Sequence, residues 1–412
     1  MKARHKFVVW ILTAGLLFGA AHAILVVAAA PKINQSFTAK QASVGMPSSA
    51  DFLLKAYDPR NRDYAYATFK RLPDGRGIVF GGFGAVTGGN NAVTAYNPVT
   101  NTWETLFATR TFTIGPQLSD GTYDVRGKSF LGNRDNQFGL VVPSRNEYWV
   151  GPGQRSQPLT GNYMGAFNYV TKVWTVIQED QNTFAPVTGW NYYSAPADGC
   201  SVRIPETDTL VTMWSYSSGS LATSTLTIMR PNGTSPQTYT AEVHHDLNNF
   251  SWTGQRLLRN TQGQCFARNG EVYVYGGYDE LGAFSSADIS RVNVTVPGRP
   301  VQSTVTTNTV PLSVRVYGQS VLADWDQARD RMVVTNGINV NIYDFGTQTW
   351  ANVPVNTPYD DARNSPTTSG AGGASHGCFW APGAYVSPGV FADQLILNGS
   401  GNGTTYGLRL NY

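Results

Sequence analysis

Apolar and polar positions alternate along the chain in short bursts, and no stretch keeps the spacing of an amphipathic helix. The clearest burst is Gly77-Ile78-Val79-Phe80, entered from the turn pair Asp74-Gly75 and stopped by Gly81-Gly82. β-Branched and aromatic residues suit a strand, and a glycine pair ends one where a side chain would crowd a neighbouring backbone. A second strand reads up to Tyr96. Asn97-Pro98 and Thr100-Asn101 then turn the chain, and a further strand opens near Trp103. The predicted elements are strands joined by tight turns, so the fold class is all-β.

The octet from Tyr96 to Trp103 returns as Phe167 to Trp174, as Tyr343 to Trp350 and, more weakly, as His245 to Trp252. A supersecondary unit that cannot bury its own faces must stack on copies of itself. Here the sequence resembles the kelch-repeat family, whose mark is a glycine pair after a hydrophobic strand, then a Tyr, then a Trp several residues later. The resemblance covers most of the chain and implies a β-propeller. Second strands ending near residues 81, 151, 214, 276, 336 and 398 give a period of roughly sixty residues, hence six blades rather than seven. The sixth repeat stops at Tyr412 without a Trp-bearing outer strand. An unpaired edge there would be a liability, and residues 32–40, with Ile33, Phe37 and Thr38, are expected to supply the missing strand and close the ring.

A chain of 412 residues would ordinarily form two or more domains, but a propeller reaches this size as one closed unit. Its 43 glycines and low charged content, 14%, suit many short strands. Residues 1–30 stand apart: Met1 to Lys6 is basic and Phe7 to Ala30 is almost continuously apolar, the layout of a secretory leader, with Ala21-His22-Ala23 as a cleavage site. The same run is long enough to stay as a signal anchor. Both readings put residues 31–412, a single propeller, outside the cytosol, and give membrane association only through an uncleaved N-terminus. Removing the leader takes Lys2, Arg4 and Lys6 with no acid, so the net charge falls from +3 to zero. A neutral body has no electrostatic footprint for nucleic acid.

Cys200, Cys265 and Cys378 each open a repeat just ahead of its second strand. Three cysteines in so long a chain are no disulfide framework. They read as small buried residues on the innermost strands, structural whether free or paired. Six N-glycosylation sequons, at Asn34, Asn232, Asn249, Asn293, Asn398 and Asn402, are about what this composition gives by chance, and Asn398 ends a second strand too close to the core to be modified.

Function in a propeller is expected on the loops that follow second strands and link successive blades. The long segments 108–136, 178–198 and 355–376 show no packing pattern and combine rings with charges. Trp190, Tyr192 and Tyr193, and Tyr359, Asp360 and Arg363, are the candidate ligand-binding residues. Rings stack on apolar faces of a sugar or peptide while polar groups fix its orientation. The reading is a secreted binding module for a protein or carbohydrate ligand, with no catalytic residue, cofactor or metal assigned. The alternative is a secreted carbohydrate-active enzyme or a copper-radical oxidase, since galactose oxidase has a kelch-like central domain. That resemblance implies two histidines, two tyrosines and a Tyr-Cys cross-link at copper. Tyr317 is followed by Gly318 where a His is needed, and His376 is the one histidine placed to face the centre. Sequence boxes for sialidases, HExxH metalloproteases and Gly-x-Ser-x-Gly hydrolases are absent, and the glycine-rich 83–89 leads into a strand, without the helix N-terminus that would bind phosphate.

Overall fold

The computed structural model describes residues 45–58, 67–81, 92–108, 139–151, 164–178, 183–190, 200–218, 221–246, 263–276, 288–316, 321–357, 377–398 and 404–412, all within one compact unit, Val44–Tyr412. The proposed leader and the segment 32–40 lie outside the described residues.

Strands are numbered in chain order, and β1 (Ser49–Leu54) comes first. The first sheet runs β2 (Thr68–Arg71), β3 (Gly77–Phe80), β4 (Val93–Asn97), β5 (Thr102–Phe107), and the second β6 (Gly139–Val142), β7 (Glu147–Val150), β8 (Gly165–Asn168), β9 (Val173–Ile177). The third holds β11 (Cys200–Ile204), β12 (Thr209–Ser218), β13 (Leu221–Pro231) and β14 (Tyr239–Asp246), with the short β10 (Val187–Thr188) added outside β14. The fourth is β15 (Gln264–Arg268), β16 (Glu271–Tyr275), β17 (Asp288–Asn293), β18 (Val301–Thr307). The fifth is β19 (Leu322–Asp326), β20 (Arg331–Thr335), β21 (Val340–Asp344), β22 (Thr349–Val353). The sixth orders β24 (Cys378–Ser387), β25 (Val390–Asn398), β26 (Thr405–Asn411), then β1, then β23 (Val355–Thr357). The six sheets form a six-bladed β-propeller.

All six expected second strands are present, as β3, β7, β12, β16, β20 and β25. Their largely apolar runs follow from position, because each lies inside a sheet that is itself packed between two others. Along β3, Ile78 and Phe80 enter a core shared with the second sheet, while Val79 between them enters the core shared with the sixth. Six such clusters are present, one between each pair of neighbouring sheets, so the ring is held by side-chain packing around its whole circumference.

Three copies of the octet fold alike. Tyr96 lies opposite Trp103, Phe167 opposite Trp174 and Tyr343 opposite Trp350. In each turn one side-chain oxygen, of Asn97, Asn168 or Asp344, accepts two backbone N–H groups, those two and three residues on. The last turn residue is left-handed in all three, Asn101, Lys172 and Gln348 having φ of 54°, 61° and 57°. The Trp that follows lies near the start of its sheet's fourth strand and reaches the preceding sheet. Trp174 packs 5.3 Å from Phe80, Trp350 packs 5.4 Å from Tyr275, and Trp103 donates its indole N–H to Ala56 O at 3.0 Å.

The fourth octet is not a copy. His245 lies on the outer strand β14 opposite Thr225, not on a third strand, and the turn that joins β13 to β14 is the earlier segment 232–238. Residues 247–262, with Trp252, lie outside the described residues. Closure also differs from expectation. The place beside β26 is taken by β1, paired antiparallel from Ser49 opposite Asn411 to Leu54 opposite Tyr406. Ala50 and Phe52 point into the core with the fifth sheet, and Asp51 accepts hydrogen bonds from Arg409 at 2.7 Å, Asn411 at 2.9 Å and Thr357 at 3.0 Å. Two segments read as loops without a packing pattern also contribute strands, β10 and β23, each parallel to the strand it covers.

Candidate functional site

The first strands β2, β6, β11, β15, β19 and β24 surround the axis, and each pair of neighbouring sheets is tied there. Thr68 Oγ1 and Tyr148 Oη share a 2.6 Å hydrogen bond, and Ser201 Oγ donates to Gly139 O. A disulfide joins Cys200 to Cys265 across 5.7 Å between Cα atoms. Arg268 forks onto Asp330 with two 2.6 Å bonds and lies 4.1 Å from the Phe345 ring centroid. Trp380 N donates to Asp324 Oδ2 at 2.7 Å, and the Phe69 and Phe379 rings meet edge-on at 4.9 Å. Thr68, Gly139, Cys200, Cys265 and Cys378 all lie at or next to the starts of their strands. The six first strands therefore begin at one end of the ring.

This common direction sorts the connections into two sets. Turns between first and second and between third and fourth strands, such as 72–76, 98–101, 143–146, 169–172, 269–270 and 345–348, lie at one end and are tight. Connections between second and third strands, and from sheet to sheet, leave from the other end and include the long segments 108–138, 189–199 and 358–377.

Of the sequence candidates, Trp190 is described and is 6% exposed, packed 5.3 Å from Phe184 in the core between the second and third sheets. Its indole N–H has no partner among the described residues. Tyr192, Tyr193, Tyr359, Asp360 and Arg363 lie outside the described residues, as do Tyr317 and His376. Cys378 is buried, donates to Ala323 O at 3.5 Å, and has its thiol pushed well up by burial. Of the sequons, Asn398 is buried and Asn232 is exposed on the β13–β14 turn.

Charged residues that the strand pattern did not single out lie at the axis. Lys70 on β2 donates to Ser201 O on β11 at 2.9 Å, so a side chain of the first sheet reaches the third. Asp324 on β19 accepts the backbone N–H groups of Trp380 and Trp325. It lies within electrostatic reach of Lys70 and Arg71. Burial pushes the Lys70 ammonium down and the Asp324 carboxyl up, the two N–H bonds and the two cations only partly offsetting the latter. The available signal was a charged residue within a short inner strand, as in Thr68–Arg71 and Leu322–Asp326. Among the described residues no group of three His, Cys, Asp or Glu side chains could hold a metal ion, and no helix is long and apolar enough to cross a membrane.

No family model matches the chain, and no curated protein matches it.

Proposed function

We propose that this propeller is an extracellular binding module of the kelch type that takes a glycan or protein ligand on the end of the ring from which the long connections leave. The observation that carries the reading is the asymmetry of the two ends. One end is built of tight turns held by repeated side-chain caps, and the other receives every long connection, including the segments with Tyr192, Tyr193, Tyr359, Asp360 and Arg363. Long segments cost conformational entropy that a minimal propeller would avoid. Rings beside a carboxylate and a guanidinium supply stacking and directional hydrogen bonds together. The Cys200–Cys265 disulfide supports an oxidising compartment.

Immobilised glycans and cell-surface protein fractions, probed with the purified chain, test this reading. Binding should be lost in Tyr192→Ala, Tyr359→Ala and Arg363→Ala and kept in Val170→Asp, an exposed residue of a tight turn at the opposite end. Loss in Val170→Asp with the three loop variants unaffected would overturn the assignment. So would stoichiometric copper with oxidation of an alcohol or aldehyde.

A further inference from the structure

We propose that Asn232 carries an N-linked glycan and is the acceptor that the folded ring selects among the described sequons. The proposal rests on the extracellular reading above, since this modification is made in the secretory pathway. The sequon is Asn232-Gly233-Thr234, at the start of the turn that joins β13 to β14.

This turn presents its first half outward and holds its second half inward. Residues 232–236 are all exposed. Gln237 O, by contrast, accepts Arg145 Nη1 from the second sheet's tight turn at 2.7 Å, and Tyr239 is buried. A Cβ built on Gly233 would meet no atom within 4 Å, so the space beside the acceptor is open. Asn232 N–H donates to Thr238 O at 2.8 Å, and Asn232 Oδ1 accepts the Thr240 hydroxyl at 2.7 Å. Both bonds fix the residue through atoms that a sugar does not use. Nδ2 makes a long bond, 3.3 Å to Thr238 Oγ1, and has two N–H groups. One can be replaced while the other keeps that contact.

The other two described sequons are built differently. Asn293 is half-buried at the end of β17. Its Nδ2 donates to Glu271 Oε1 on β16 at 3.0 Å, and its Oδ1 accepts the Thr295 N–H at 2.9 Å and hydroxyl at 2.6 Å. A sugar there would crowd β16. Asn398 is 2% exposed, opposite Thr405 inside the sixth sheet, with Nδ2 buried. A sugar there would have to enter the core, where its hydroxyls lose water without gaining partners.

In the transfer, Nδ2 attacks C1 of an oligosaccharide carried on a lipid pyrophosphate. The N–C1 bond forms and the bond from C1 to the pyrophosphate oxygen breaks. The lipid pyrophosphate leaves with the electron pair, and one Nδ2 proton passes to a base. The glycan then stands at the tight-turn end, away from the long connections.

The test produces two chains in a eukaryotic host: the full chain, and residues 31–412 behind the host's own secretory leader, which keep the compact unit whole. Enzymatic deglycosylation in heavy-oxygen water converts each glycosylated Asn to labelled Asp, and peptide masses locate the label. Asn232 is expected to be labelled in both chains, with Asn293 and Asn398 unlabelled. Thr234→Ala should abolish the label and Thr234→Ser should keep it. Unlabelled Asn232 in the secreted host-leader chain overturns the site, as does labelling of Asn293 or Asn398 in its place. A full chain left unlabelled in the cytosol, beside a host-leader chain labelled at Asn232, would overturn the extracellular reading and uphold the acceptor geometry.

Discussion

At the scale of single residues, Asn97, Asn168 and Asp344 show how much of this fold is written locally. Each caps its turn by accepting two backbone N–H groups that would otherwise look to water. Asn168→Ala should cost about 1–2 kcal/mol in urea unfolding and Asn168→Asp much less, since only the first removes the acceptor. An unchanged midpoint in Asn168→Ala would mean that the turn is held by its strands alone. These turns were legible because one short side chain, a left-handed residue and a Trp fall at fixed offsets. The same offsets misled at His245, where a His-to-Trp spacing occurs without the turn: β13 and β14 were already joined at 232–238. Lys70 and Asp324 were illegible for another reason. Nothing in a linear sequence brings residues from the first and fifth sheets together until the ring is closed.

At the scale of elements, β1 decides closure. Its residues Ser49-Ala50-Asp51-Phe52-Leu53-Leu54 alternate for too short a span to announce a strand. The segment 32–40 is extended in character and belongs to no repeat, and so was expected there instead. β1 is fixed by Asp51, whose carboxyl is raised by burial but brought below its usual value by hydrogen bonds from Asn411, Arg409 and Thr357. Just beyond β1, buried Lys55 donates to Tyr385 O on β24. Burial, helped by the nearby Arg409 charge, pushes its ammonium down to about 8. An unfolded lysine titrates near 10.4. Between these values the folded chain has released a proton that the unfolded chain still holds, so stability rises with pH through this window. The melting temperature should therefore climb from pH 8 to pH 10, and less so in Lys55→Met. A climb of the same size in Lys55→Met would assign the effect elsewhere, with Lys70, also depressed by burial, the next group to change.

At the scale of the whole molecule, six sheets share six cores, and each sheet is half of two of them. That arrangement was legible because a period of roughly sixty residues recurs across the chain. The covering strands β10 and β23 were not, being two and three residues long with parallel pairing that leaves no sequence period. A ring of this kind has no free end only while β1 stays paired with β26. Opening it exposes the edge of β26 and uncovers Ala50, Phe52 and their partners in the core with the fifth sheet.

The most direct test compares thermal unfolding of two internal deletions behind the same leader, one lacking residues 31–44 and the other lacking residues 31–55. With β1 as the closing strand, the first deletion unfolds cooperatively near the intact chain's midpoint, and the second loses that transition or aggregates. Loss of the transition in the first, or an unchanged midpoint in the second, would contradict a ring closed by Ser49–Leu54.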